Sequence, residues 1–194
     1  MAARAEIIAA RPAIAWIGFL LAFGFILQAH SAPRDQGVLE IQIKDHRDAI
    51  DGFSKLEITI EKILLSPRPG FKFWQTGWKE LPANPASIDL TKYVGKQTAR
   101  VFRASIDAGS FGAFQLKLKS SEGILKTKRR SIKIKNNLEP VKLSFEVPPQ
   151  GETILIIDLA VTDFSDHPPR GYELGLKGYE VYTNGKLVGK IPPG

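Results

Sequence analysis

The chain has 194 residues, of which 43% are apolar and 24% charged, and its formal net charge is +7. This composition is typical of one globular domain with an additional segment, and it excludes an intrinsically disordered chain, which lacks the apolar surface needed to fold. The absence of cysteine excludes disulfides, zinc–thiolate sites, thiol nucleophiles and lipidation of a cysteine.

The N-terminus has the pattern of an export segment. Arg4 and Arg11 precede an apolar run over residues 13–27, and residues 29–31 place small side chains at the positions that a signal peptidase reads. The run is short for a bilayer span, but no charge occurs between residues 12 and 33, so two outcomes stay open. The segment is either a cleaved signal peptide or an uncleaved hydrophobic helix that anchors the chain. In both cases we expect a periplasmic, cell-envelope or secreted domain.

From residue 37 onward the dominant hydrophobic period is two, which places alternate side chains on opposite faces of a sheet. In the first such segment Leu39, Ile41 and Ile43 alternate with polar residues. The same pattern predicts strands over residues 39–44, 56–61, 114–119 and 141–147. Residues 154–161 are apolar except Asp158, which is typical of a central strand. Asp158 either faces the rim of the sheet or a hydrogen-bonding partner, or is buried.

Other segments have weaker or different patterns. Shorter β-rich stretches predict strands over residues 71–74, 98–106, 132–135 and 172–176. Asn184-Gly185 lies between two β-rich stretches and favours a type I′ hairpin, because both residues tolerate a positive φ. One or two helical turns are predicted over residues 88–94, with Ser87 or Asp89 as the N-cap and Gly95 as the stop.

Many short strands and almost no helix predict an all-β fold, an immunoglobulin-like or transthyretin-like Greek-key sandwich preceded by the N-terminal hydrophobic helix. We divide the chain into an export segment or anchor (1–31), a short linker (32–36), the β-sandwich domain (37–191) and a tail (192–194).

Short segments spread along the domain carry a resemblance to a known family. Residues 37–45, 50–53, 56–65, 88–90, 106–111 and 156–159 resemble a domain-of-unknown-function family of secreted and lipid-anchored bacterial and archaeal proteins. That family usually has a Leu-Thr-Asp-Ala-Pro-like turn after its first strand, whereas this chain has Lys44-Asp45-His46-Arg47 and no cysteine for lipidation. The resemblance implies an extracytoplasmic β-sandwich and supplies no catalytic residues.

Four polar residues after the first predicted strand are weak candidates for a metal site. Asp45, His46, Asp48 and Asp51 could offer oxygen and nitrogen ligands to a hard cation such as calcium. Their spacing matches no EF-hand loop, and an acidic loop that caps local backbone groups is the alternative.

A run of basic residues is the best candidate for anion binding. Its members lie within ten residues of each other: Lys126, Lys128, Arg129, Arg130, Lys133 and Lys135. Such a patch attracts phosphate or carboxylate groups, and salt weakens the attraction. Lysines on an edge strand that prevent aggregation are the alternative interpretation.

Aromatic residues between the second and third predicted strand regions form a third candidate site. Phe71, Phe73, Trp74 and Trp78 follow a proline-rich turn, and exposed Trp74 and Trp78 would form a weak candidate platform for sugar rings. Filling of the core is the alternative role.

A possible acid–base pair follows the central strand. Asp163 and Asp166 precede His167, and a carboxylate–imidazole pair supports general acid–base catalysis, although the sequence implies no nucleophile nearby. Turn formation is the alternative role for these residues.

We therefore expect a non-enzymatic exported module without a cofactor, with a binding or structural role. A polysaccharide- or anionic-polymer-binding module is the first alternative, and a hydrolase using Asp163 and His167 is the second. The expected partners are an envelope or extracellular protein or an anionic polysaccharide, whereas nucleic acid is unexpected outside the cytoplasm. Membrane contact is expected only through residues 13–27, if they are not cleaved.

Overall fold

Two β-sheets enclose the hydrophobic core in the computed structural model, which describes residues 35–67, 77–127, 129–166 and 171–191. Sheet A contains β1 (Gln36–Asp45), β5 (Ala99–Asp107), β8 (Lys135–Asn137), β10 (Glu152–Asp163), β11 (Tyr172–Thr183) and β12 (Lys186–Ile191). Sheet B contains β2 (Phe53–Pro67), β3 (Lys79–Leu81), β4 (Ser87–Asp89), β6 (Gly109–Leu125), β7 (Ser131–Lys133) and β9 (Val141–Val147). Short 3-10 turns span Ala49–Gly52 and Leu90–Lys92.

The order of sheet A is β12-β11-β10-β1-β5, with β8 also paired to β11. β1 runs parallel to β10 and antiparallel to β5, so the first and tenth strands are neighbours. The order of sheet B is β3-β2-β6-β7, with β4 paired to β2 and β9 paired to β6. The parallel β1–β10 pair brings the C-terminal end of β1 beside Asp158, and this placement builds the site described below.

Alternation of apolar and polar residues explains why the sheets pack face to face. Leu39, Ile41 and Ile43 of β1 are each 0% exposed, and they join apolar side chains of sheet B in one core cluster. Burial of one such side chain contributes roughly 1.5–3 kcal/mol relative to leaving it in water. The polar residues between them lie on the outer face of sheet A. The all-β prediction is confirmed for the described residues.

The predicted strands, apart from the one over residues 132–135, agree with the structure where it describes them. Residues 39–44, 56–61, 114–119 and 141–147 lie in β1, β2, β6 and β9, and residues 154–161 lie in β10, an interior strand of sheet A. The predicted strand over residues 71–74 and the N-terminal segment lie outside the described residues. None of the described helical turns has the length and hydropathy of a membrane span.

The predicted strand over residues 132–135 is wrong as a single element. The chain leaves sheet B after β7 and enters sheet A at β8, with Ile134 buried at the crossing. The crossing is fixed because Ile134 N donates to Ser121 O at 2.9 Å and Ser121 Oγ donates to Ile134 O at 2.8 Å.

The predicted helix over residues 88–94 is wrong beyond one 3-10 turn. Ile88 lies in β4 and pairs with Ile58 of β2. Asp89 is the N-cap, since its Oδ1 accepts a hydrogen bond from Thr91 N at 3.2 Å. The same oxygen accepts from Leu56 N at 3.1 Å, which ties the turn to β2. The hairpin at Asn184-Gly185 is confirmed, with φ angles of 49° and 76°.

Candidate functional site

The structure does not gather the four polar residues of the first loop around one point. Asp45 is fully buried, His46 lies beside Asp158, and Asp48 lies 3.5 Å from Lys177 Nζ. Asp51 is exposed in the 3-10 turn that follows. Within the described ranges, no three His, Asp or Glu side chains are placed to hold a metal ion.

The basic run is divided between two surfaces. Lys126, Arg129 and Arg130 are exposed in the turn between β6 and β7, and Lys133 is exposed on the edge strand β7. Lys135 lies in sheet A, where its Nζ is 2.6 Å from Glu173 Oε1. Lys128 is outside the described residues. A smaller basic turn therefore remains, formed by Lys126, Arg129 and Arg130.

The other two candidate sites are described only in part. Trp78 is 42% exposed, whereas Phe71, Phe73 and Trp74 lie outside the described residues. Asp163 accepts a hydrogen bond from Ser165 N at 2.8 Å, and His167 lies outside the described residues. Partial burial alone would raise the pKa of Asp163, but hydrogen bonds from Ser165 and Tyr172 outweigh it and lower the pKa. In the described part of the chain Asp163 thus stabilises a turn in its ionised form.

A charged cleft of about 730 Å³ lies at the end of sheet A, where β1 leaves the sheet. We call it the β1 cleft. Its wall comes from the outer face of the sheet, because its charged residues alternate with the buried Ile43, Ile157 and Val181. Its charged lining comes from the side chains of Lys44, Arg47, Lys96, Asp158, Glu180 and Lys190.

Strand register brings these residues together. Lys44 of β1 is the register partner of Asp158 of β10, and Glu180 of β11 is the partner of Lys190 of β12. Lys44 Nζ lies 3.5 Å from Asp158 Oδ2 and 3.7 Å from Glu180 Oε1, so it bridges carboxylates on two strands. Lys190 Nζ lies 3.4 Å from the same Glu180 oxygen.

Glu180 is held ionised by its neighbours. Tyr182 Oη donates a hydrogen bond to Glu180 Oε2 at 2.7 Å. This hydrogen bond, together with the charges of Lys44 and Lys190, lowers the pKa of Glu180 despite its partial burial.

Asp45 fixes both loops beside the cleft. Its Oδ1 accepts a hydrogen bond from Arg47 N at 2.8 Å, which stabilises the turn where Arg47 has a φ of 80°. Its backbone N donates to Tyr93 O at 2.8 Å, and its backbone O accepts from Gly95 N at 3.0 Å. The loop that carries Lys96 is therefore attached to the end of β1.

Arg47 lies across this second loop. A Cβ atom added to Gly95 would lie 3.5 Å from Arg47 Nη2, so the guanidinium packs close to the Gly95 backbone, whose φ is +70°. Arg47 and Lys96 are both exposed, and neither forms an ion pair with a carboxylate of the described residues. Two cationic side chains thus remain available at this end of the cleft.

Two buried carboxylate oxygens near the cleft lack a hydrogen-bond partner in the described part of the chain, namely Asp45 Oδ2 and Asp158 Oδ1. Burial, together with the charges of Asp158 and Asp48, raises the pKa of Asp45 to about 6, although the hydrogen bond from Arg47 N and the nearby His46 act in the opposite direction. Asp158 is 5% exposed, and its other oxygen lies 3.3 Å from His46 Nδ1.

The family model described as "Domain of unknown function (DUF4382)" matches residues 36–174. The chain belongs to this family. The resemblance seen in the sequence is thereby confirmed, and the match covers β1 to the first part of β11. No curated protein and no solved structure matches the chain.

Within this DUF4382 domain the matched range contains Lys44, Arg47, Lys96 and Asp158, whereas Glu180 and Lys190 follow it. The sequence alone indicates Asp158, as a charge in an apolar strand, but none of the other five residues. Lys44 and Glu180 looked like ordinary outer-face residues of alternating strands. Arg47 and Lys96 are in loops, and only the strand order shows that these loops meet.

Proposed function

We propose that this DUF4382 domain is an exported, non-catalytic binding module that holds an anionic ligand in the β1 cleft. The observation that supports this proposal is the pair Arg47 and Lys96, exposed cations that line one cleft without a carboxylate partner among the described residues. Fixed cations beside a low-dielectric wall attract anions and concentrate them at the surface.

The charge balance of the cleft favours an anion over a cation. Its lining contains four basic side chains and two carboxylates, an excess of two positive charges before His46 is counted. Lys44 and Lys190 are neutralised by Asp158 and Glu180, which leaves the excess on Arg47 and Lys96. The net charge of +7 on the whole chain acts in the same direction at long range.

Export is the second component of the proposal. The apolar run over residues 13–27 would act as a signal peptide or as an N-terminal helical membrane anchor, and the sandwich would be of the immunoglobulin-like or transthyretin-like Greek-key type. The family resemblance to secreted proteins supports a location in the periplasm, the cell envelope or outside the cell. Mass spectrometry on protein from the native host tests it: an intact Met1 on a soluble cytoplasmic product would contradict export.

Binding is tested by calorimetric titration of the full chain with sodium polyphosphate and with polygalacturonate, at low and at high salt. We expect binding that weakens with salt. The double variant Arg47→Glu/Lys96→Glu should lower the affinity at least about tenfold, because it replaces two attractive charges by two repulsive ones. The matched control is Lys117→Glu/Lys119→Glu, which makes the same charge change at exposed positions of β6 in sheet B.

The basic turn is a second candidate for anionic polymers, since Lys126, Arg129 and Arg130 are all exposed in one turn. The double variant Arg129→Glu/Arg130→Glu separates the two surfaces. A loss of polyanion affinity in this variant, with normal affinity in the Arg47 and Lys96 variant, would place binding at the turn and contradict the β1 cleft. Absence of binding to either polyanion would contradict the proposed function.

A further inference from the structure

The two ends of the β1 cleft differ in their charge balance, and this difference indicates the chemistry of the ligand. At one end Lys44 and Lys190 face Asp158 and Glu180, so positive and negative charges are equal in number. At the other end Arg47 and Lys96 are unopposed by carboxylates of the described residues. A ligand that fits both ends has an anionic group and, next to it, a part without net charge.

The balanced end is suited to neutral hydrogen-bond donors. Asp158 is 5% exposed, yet its Oδ1 has no donor within the described residues. A buried acceptor without a donor is destabilising, so a ligand donor that reaches it is favoured. An ammonium group would bring a further positive charge to carboxylates that Lys44 and Lys190 already neutralise. A hydroxyl group adds the donor without the charge.

The cationic end is suited to a carboxylate. Arg47 presents a planar guanidinium that binds two oxygens in one plane, and Lys96 presents a point charge on the neighbouring loop. Gln97 also lines this end and can donate to an oxygen of the ligand or accept from a hydroxyl.

We propose that the β1 cleft binds a hydroxylated carboxylic acid, a uronic acid unit of an acidic polysaccharide, with its carboxylate at Arg47 and Lys96 and its hydroxyls toward Asp158 and Glu180. This inference rests on the proposed function, since it names the class of anion that the same cleft takes. The cleft volume of about 730 Å³ lies within the range of about 300–1,000 Å³ that is typical of small-molecule sites. One or a few sugar units fit such a volume.

Digalacturonate, its neutral dimethyl ester and tripolyphosphate are the three probes for the full chain. We expect digalacturonate to bind at least about tenfold more tightly than either of the others, because only it combines carboxylates with hydroxyls. The variants Arg47→Gln and Lys96→Gln should each weaken digalacturonate binding and leave the weak binding of the ester unchanged. Lys117→Gln on β6 is the control for a change of charge at a distance.

Two variants test the hydroxyl contacts. Asp158→Asn and Glu180→Gln should weaken digalacturonate binding while leaving tripolyphosphate binding equal or stronger, since the removal of a negative charge favours a pure anion. Glu180→Gln serves as the second variant because Asp158 is buried and its substitution also affects folding, which circular dichroism monitors. If neither variant weakens digalacturonate binding relative to tripolyphosphate binding, the proposed hydroxyl contacts are wrong.

The outcomes distinguish this inference from the proposed function. Tripolyphosphate binding that equals or exceeds digalacturonate binding, and that still depends on Arg47 and Lys96, would overturn the uronic acid inference and leave an anion-binding cleft. Equal binding of the ester and the acid would also overturn it. Binding of none of the probes or polyanions would contradict the proposed function itself.

Discussion

Lys44 of β1 and Asp158 of β10 form an ion pair across the parallel strand pair of sheet A, with Nζ 3.5 Å from Oδ2. Their side chains are 15% and 7% exposed, so both charges are largely removed from water. His46 Nδ1 lies 3.3 Å from the same Asp158 oxygen, and Lys44 reaches on to Glu180. This pair therefore joins the first strand, the central strand and the wall of the β1 cleft.

Removal of Lys44 should destabilise the fold more than removal of an exposed lysine. Lys44→Met leaves the buried Asp158 carboxylate with His46 as its remaining close partner, and we expect a loss of about 2–4 kcal/mol in the free energy of unfolding at pH 7.5. Urea denaturation measures the loss, with Lys117→Met on β6 as the control. The double variant Lys44→Met/Asp158→Leu should recover most of the stability, because no buried charge is then left unpaired. A Lys44→Met variant as stable as the control would contradict the assigned role of the pair.

Asp45 should make the stability of the protein depend on pH. Its pKa in the folded chain is about 6 against an ordinary value of 3.8, so the folded state binds the proton more tightly than the unfolded state. Stability is therefore highest when Asp45 is protonated, below about pH 4, and falls as the pH rises to about 6. Ionisation of Asp45 is complete above this pH, and it lowers the free energy of unfolding by at most about 3 kcal/mol.

The variant Asp45→Asn tests this dependence, because the amide oxygen still accepts from Arg47 N but the side chain cannot ionise. At pH 8 its free energy of unfolding should exceed that of the parent by about 1–3 kcal/mol, and at pH 4 the two should agree. Asp45→Ala is the control, since it removes the charge and the hydrogen bond together. If Asp45→Asn raises the free energy of unfolding equally at both pH values, ionisation of Asp45 is not the cause of the increase.

Local patterns in the sequence were sufficient to predict most strands and one part of the site. Alternation in β1 predicts that Leu39, Ile41 and Ile43 face the core, and extension of the same period by one step places Asp45 on the inner face. The assignment of Asp45 to a loop is therefore wrong. Its burial follows because β1 continues to Asp45 and its pairing with β10 extends from Val38 to Asp45.

The β1 cleft could not be predicted in the same way, because hydrophobic alternation determines which face is buried but not which strands are neighbours. Lys44 and Asp158 lie far apart in the chain and meet only through the parallel pairing of β1 with β10. Similarly, Ile132 and Ile134 alternate as in one strand, but the hydrogen bonds of Ser121 to Ile134 make the chain change sheets. Such contacts between distant segments leave no periodic pattern in the sequence.

The packing of β6 against the start of β2 can be tested at glycine positions of β6. A Cβ atom added to Gly123 would lie 2.4 Å from Cε1 of Phe53, which is 2% exposed and packs edge-on against Tyr172 with ring centroids 5.0 Å apart. The ring has little room to move, so Gly123→Ala should destabilise the protein by about 1–3 kcal/mol through overpacking. A Cβ atom added to Gly109 of the same strand meets nothing within 4 Å, so Gly109→Ala is the matched control and should change stability by less than about 1 kcal/mol.

Thermal or urea denaturation of the two alanine variants measures this difference directly. A second variant, Gly123→Ala/Phe53→Leu, replaces the ring by a smaller apolar side chain and should be less destabilised than the sum of the two single changes, because each change relieves the steric conflict with the other. Strict additivity of the two changes would show that Gly123 and Phe53 are not in contact, and the packing of β6 against the start of β2 would then have to differ from the one described.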